Sequence, residues 1–128
     1  MKKTMCGVLA LLAVIGVAVG ASQGPAVDEV MHEKLAQSQK ILEAVVTSDW
    51  VGLETHAREL EQLTNDRRWA VLKYPEYARH ADAFIQSIKD LRQVAAQRDQ
   101  EKMLKSYNAL TFQCVDCHRY LARERIAR

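Results

Sequence analysis

Apolar side chains recur three or four residues apart along most of this 128-residue chain, and this spacing is the strongest constraint on its fold. Such spacing places apolar side chains along one face of an α-helix. It predicts four amphipathic helices, at about residues 28–47, 50–71, 76–97 and 100–125. Because the connections between them are very short, consecutive helices are expected to be antiparallel neighbours. The sequence therefore predicts an all-α protein, folded as an antiparallel up-down-up-down four-helix bundle.

The residues between these segments favour the same helix boundaries. Asp49 and Asp99 precede the second and fourth segments, and aspartate is a preferred N-cap because its carboxylate accepts hydrogen bonds from free backbone amides. Tyr74 and Pro75 separate the second segment from the third. The residue before a proline disfavours helix, and proline suits a first helical turn. Each predicted connection therefore carries its own boundary signal.

The first 21 residues have the order of a secretory signal peptide. Lys2 and Lys3 form a positive start, residues 8–19 form an apolar run, and Ala21 ends a small-residue cleavage site. An uncleaved membrane anchor is the alternative, but the run is shorter than the roughly 20 apolar residues that span a bilayer. We therefore expect cleavage after Ala21 and a periplasmic protein without stable membrane insertion.

After this cleavage, the chain is expected to consist of a flexible leader at 22–26 and one domain at 27–128. The signal peptide 1–21 carries two lysines and no acidic residue, so its removal changes the net charge from +2 to zero. A neutral domain does not favour nucleic acid as a partner, because nucleic-acid binding needs a basic patch. Cys6 is removed as well, which leaves two cysteines, both in the last predicted helix.

These two cysteines belong to the sequence Cys114-Val115-Asp116-Cys117-His118, and Cys-x-x-Cys-His is the attachment signature of haem c. Each thiol can add to one of two vinyl groups on the same porphyrin edge, since cysteines three residues apart on a helix point to the same side. The histidine directly after them can bind the iron as its proximal ligand. We therefore expect one covalent haem c on Cys114 and Cys117, with iron ligated by His118.

Three other uses of the cysteine pair fit the sequence less well. A disulfide between residues three apart would close too small a loop to stabilise the chain much. A thiol redox pair is typical of a helix start that follows a strand, whereas this pair lies deep in the last helix. A zinc site needs four ligands, and no second cysteine pair is present to complete one.

A four-helix bundle with Cys-x-x-Cys-His near the end of its last helix resembles the class II c-type cytochromes, the cytochrome c′ group. The resemblance covers residues 27–123, and the run at 114–120 is similar to that family's usual ending. The connection between the second and third helices is shorter than in many members. The resemblance implies one of two functions: electron transfer with a methionine as sixth iron ligand, or binding of NO or CO at an open sixth position. It also implies dimers formed through the first two helices.

Met31 is the candidate for the sixth iron ligand. In an antiparallel bundle the start of the first helix lies beside the end of the fourth, and at 1.5 Å rise per residue Met31 and His118 reach similar heights. A thioether opposite a histidine gives low-spin iron with a raised potential. The alternative is that Met31 only packs against the haem. Met31 begins the inward-facing stripe predicted for the first helix, which continues through Leu35, Ser38, Leu42 and Val45.

Other residues are assigned to the surface or to the rim of the site. His32, His56 and His80 are expected to be surface residues, although His80 could line the pocket. The aromatic residues expected to cover an edge of the haem are Trp69, Tyr74 and Tyr77. The arginines that could pair with the haem propionates, or are otherwise solvated, are Arg67, Arg68, Arg119 and Arg123.

These features favour a monohaem electron carrier whose partners are redox proteins. An enzyme is not expected, because no nucleophilic or acid–base group of residues is recognised beside the haem motif. Two alternatives stay open: a five-coordinate, gas-binding haem protein and a haem-free helical interaction protein.

Overall fold

The computed structural model describes residues 25–69 and 74–124, and this part of the chain contains four α-helices and no strand. The predicted signal peptide lies outside the described residues. The helices are α1 at Pro25–Thr47, α2 at Trp50–Leu63, α3 at Pro75–Gln97 and α4 at Gln100–Arg123. The bounds of α3 and α4 agree with the predicted segments to within two residues. α1 ends where predicted but begins three residues earlier.

α2 ends at Leu63, so the prediction that it continues to about residue 71 is wrong. The three residues that follow are Thr64, Asn65 and Asp66, whose short polar side chains compete with helical hydrogen bonding. The Asp66 carboxylate accepts a hydrogen bond from the backbone amide of Arg68 at 2.8 Å and another from its guanidinium. These local bonds replace the next helical turn.

The α1–α2 and α3–α4 connections are built in the same way. Ser48 and Arg98 adopt left-handed backbone conformations, with φ of 57° and 54°. Asp49 and Asp99 follow them as N-caps, and each carboxylate accepts a hydrogen bond at 3.0 Å from the backbone amide three residues later. Both predicted caps are confirmed. A two-residue connection leaves the next helix no course except back along the previous one.

Side-chain contacts show which helix ends meet. Ser48, in the α1–α2 turn, donates a hydrogen bond at 3.1 Å to the side chain of the first residue of α4. At the other end, Arg68 forms an ion pair at 2.9 Å with Glu29, near the start of α1. His80 of α3 packs against Tyr120, near the end of α4, with ring centroids 5.0 Å apart. The bundle is therefore up-down-up-down as predicted, with the start of α1 and the end of α4 at the same end.

The apolar core lies mainly in the half of the bundle away from that end. The faces predicted for α2 and α3 are confirmed there, since Leu53, Leu60, Ile88 and Leu91 are fully buried. Full burial of a leucine or isoleucine side chain contributes about 1.5–3 kcal/mol. This half of the core holds the helices together while the other half encloses a cavity.

The buried face of α1 differs from the predicted stripe. Leu35 and Leu42 are 55% and 44% exposed, whereas Val30, Lys34 and Ile41 are buried. The helix is therefore rotated so that the predicted stripe from Met31 to Leu42 lines the cavity and the neighbouring face packs into the core. Val45, the last residue of the stripe, is buried in the core as predicted.

Candidate functional site

A cavity of about 650 Å³ lies at the end of the bundle where α1 begins and α4 ends. α1 and α4 approach each other at few points, whereas the other neighbouring helices pack along their lengths. The cavity is lined by α1, α3, α4 and the connection after α2, and most of its walls are apolar or aromatic. A space of this size with a few polar groups suits a cofactor or a small molecule.

The structure brings the predicted attachment residues to this cavity. Cys114 and Cys117 are half-buried free thiols about one turn apart on α4, and both line the cavity. Their positions on an unbroken helix give the two thiols the same direction. Burial raises the pKa of both thiols, so they are protonated at neutral pH. The adjacent His118 also lines the cavity, with its side chain exposed.

Met31 lines the same cavity from α1 and is half-buried against the core. Packing in the antiparallel bundle therefore places Met31 and His118 around one space, from two different helices. Leu35, Ser38 and Leu42 of the predicted stripe line it as well. Ligation of an iron by Met31 stays a prediction, because the same position suits a side chain that only packs against a cofactor.

His80 lies inside the site, and the expectation that it is a surface residue is wrong. It is 4% exposed and lines the cavity. Its Nδ1 lies 3.3 Å from a carboxylate oxygen of Asp116, one of the two residues between the cysteines of the motif. Its ring packs on Tyr120 from the next turn of α4. His80 thereby connects α3 to the helix that carries the cysteines.

Tyr77 of α3 and Trp69, in the connection after α2, line the cavity, and both are buried. The Tyr77 hydroxyl donates a hydrogen bond at 2.6 Å to the carbonyl oxygen of Trp69. The Trp69 ring meets Phe84 edge to face, at 6.0 Å between centroids. Trp69 and Tyr77 thus lie at the site as predicted, while Tyr74 is more than half exposed.

Lys34 was not predicted as a site residue. It is buried on α1 and lines the cavity, with its ammonium nitrogen over the Trp69 ring. The only signal in the sequence is its position three residues after Met31, on a neighbouring part of the same helix face. Lysine is so rarely buried that this spacing by itself predicts a solvated side chain.

The remaining predicted candidates lie away from the centre of the cavity. His32 is exposed at its rim, and its Nδ1 lies 2.8 Å from the carbonyl oxygen of Asp28. His56 is half-buried on α2 beside Gln37 of α1. The arginines suggested for the haem propionates do not line the cavity in the part of the chain that the structure describes. They are Arg67, Arg68, Arg119 and Arg123.

The residues of this site fit a covalently attached haem. The two thiols and the imidazole that such a group requires line one cavity, and aromatic and aliphatic walls suit the flat apolar face of a porphyrin. Cys114 and Cys117 would hold it, and His118 would bind its iron. The group would supply one-electron chemistry.

Fold and site together define an antiparallel four-helix bundle with a cofactor-sized cavity beside a Cys-x-x-Cys-His motif. A solved structure titled cytochrome c′ has the same fold, with a TM-score of 0.64 and 17% sequence identity, covering 79% of this chain and 97% of that chain. No protein-family model matches the sequence. No curated protein matches it either. Among the helices described, none is long and apolar enough to cross a membrane.

Proposed function

We propose that this protein is an exported c-type cytochrome that transfers electrons, with one haem c attached to Cys114 and Cys117. The observation that carries the proposal is that both thiols and His118 line one cavity of cofactor size. The fold shared with a cytochrome c′ structure supports it. Export also agrees with this chemistry, since the sequence begins with the pattern of a signal peptide.

In this proposal the iron has two axial ligands, His118 from α4 and Met31 from α1. The position of Met31 at the same cavity supports its role. A thioether opposite an imidazole favours low-spin iron and a raised potential. Because both axial positions are then filled by the chain, no substrate or gas binds the iron, and the partners are redox proteins.

The first experiment tests attachment of the haem and the spin state of its iron. The protein, produced in cells that attach haem c, is expected to keep a haem stain on a denaturing gel, because only covalent haem survives there. Its reduced absorption spectrum is expected to show the sharp, split low-spin pattern and to be unaffected by carbon monoxide. A protein without stain contradicts the haem proposal. A broad high-spin band that shifts with carbon monoxide favours the gas-binding alternative.

The second experiment tests Met31 as the sixth ligand. Met31→Ala is expected to convert the low-spin spectrum to a high-spin one that responds to carbon monoxide, because the thioether is lost. Leu35→Ala is the matched control, since Leu35 lines the same cavity from the same helix without a ligating atom. A low-spin spectrum in Met31→Ala, or a high-spin one in both variants, would contradict ligation by Met31.

A further inference from the structure

A positively charged side chain lies inside the cavity that we propose to hold the haem. Lys34 is 7% exposed, and its ammonium nitrogen lies 3.2 Å from the centroid of the Trp69 ring and 4.9 Å from that of Phe84. Within residues 27–69 and 74–124, the ion pairs involve other side chains, and no carboxylate pairs with Lys34.

Burying this ammonium is unfavourable, because the charge loses its hydration. Burial lowers the pKa of Lys34 to about 7. The faces of two aromatic rings recover part of the lost hydration through cation–π contacts. Leucine or methionine would fill the same space without this cost. The charge is therefore the property of Lys34 that packing does not explain.

We propose that the ammonium of Lys34, in its protonated form, raises the reduction potential of the haem. This inference rests on the proposed attachment of haem to Cys114 and Cys117. When a redox partner gives one electron to the ferric iron, the positive charge of the haem falls by one. A neighbouring ammonium repels the ferric state more than the ferrous state, and this difference is larger in a buried cavity than at the surface. The cation therefore favours reduction without binding the iron.

The test compares reduction potentials of three variants by spectroelectrochemical titration at pH 6, where the Lys34 amine is mostly protonated. Lys34→Leu removes the charge, Lys34→Arg keeps it, and Lys40→Leu removes a charge from an exposed position on the same helix. We expect Lys34→Leu to shift the equilibrium toward ferric iron by at least tenfold, which lowers the potential by about 59 mV for one electron. Lys34→Arg and Lys40→Leu are expected to shift it several times less.

Two results overturn the proposal. One is a potential in Lys34→Leu that is unchanged, higher, or lowered no more than in Lys40→Leu. The other is a changed ferric absorption spectrum in both Lys34 variants, which would mean that the amine binds the iron itself. If Lys34→Leu does not fold, Lys34→Gln provides the same comparison with a polar neutral side chain. The haem stain and ferrous spectrum of the unmodified protein are recorded alongside, because a protein without the stain contradicts the proposed function and, with it, the inference about Lys34.

Discussion

The buried Tyr77 holds the connection after α2 at the cavity wall, and removal of its hydroxyl is predicted to lower the free energy of unfolding. The hydroxyl of Tyr77, a residue only 6% exposed, donates a hydrogen bond at 2.6 Å to the carbonyl oxygen of Trp69. Tyr77→Phe keeps the ring but leaves this carbonyl without its donor. An unsatisfied buried polar group costs about 1–3 kcal/mol. We therefore expect the free energy of unfolding at pH 7 to fall by about 2 kcal/mol.

The same hydroxyl predicts a pH dependence of stability. Burial raises the pKa of Tyr77 to about 12 from an ordinary value of 10.0. Between these values the unfolded chain loses the phenolic proton while the folded protein keeps it, so stability falls as pH rises. The stabilising contribution is complete below pH 10 and is lost through pH 12. A shift of two pKa units corresponds to about 2–3 kcal/mol, and Tyr77→Phe lacks this loss.

Urea denaturation of the purified protein, followed by far-ultraviolet circular dichroism at pH 7, 10 and 11, measures both effects. Tyr74→Phe is the matched control, because Tyr74 is exposed at the start of the same helix, and it should change the free energy of unfolding by less than about 0.5 kcal/mol. The reasoning is refuted if Tyr77→Phe is as stable as Tyr74→Phe at pH 7. It is also refuted if the unmodified protein and Tyr77→Phe lose the same stability between pH 10 and 11.

Two further predictions concern the bundle itself. Leu91→Ala removes a fully buried side chain from α3 and is expected to lower the free energy of unfolding by about 3 kcal/mol. Leu104→Ala, at a more than half exposed position of α4, should lower it by less than about 0.5 kcal/mol. Equal losses of the two variants in urea denaturation would contradict the assigned core. Arg98→Gly places glycine at a left-handed backbone position, which glycine adopts without the steric cost of a side chain, and is expected to raise Tm by a few degrees in calorimetry. A lower Tm would show that the Arg98 side chain stabilises the turn more than its backbone strains it.

The helices and their order follow from local features of the sequence. Leu53 and Leu60 of α2, and Ile88 and Leu91 of α3, repeat at helical spacing. The aspartate caps at 49 and 99 act on amides only three residues away. Neither feature depends on distant parts of the chain. The same is true of the cysteine pair, because residues three apart on any helix share a side. Local signals of this kind were sufficient to predict the bundle and the place of its cysteine motif.

The end of α2 also depends on nearby residues, but two features of the sequence predict different ends. Apolar spacing favoured a helix to about residue 71, whereas the side chains of Thr64 and Asp66 bond to neighbouring backbone groups and the helix ends at Leu63. Helical spacing is a property of many residues, and a few capping bonds can override it at an end. The weight of the two signals could not be judged from spacing alone.

Burial of individual polar side chains was decided only by the tertiary structure. Spacing assigns a face to each helix but does not show which neighbour that face meets, so the rotation of α1 that turns Leu35 toward the cavity was not predictable. Lys34 and His80 have polar side chains that are usually solvated, and they are buried because Trp69, Phe84 and Tyr120 arrive from elsewhere in the chain. By itself, then, the sequence determined the bundle and the cysteine motif, through contacts within one or two helical turns. The walls and the charge of the cavity depend on contacts between helices, which only the packed bundle brings together.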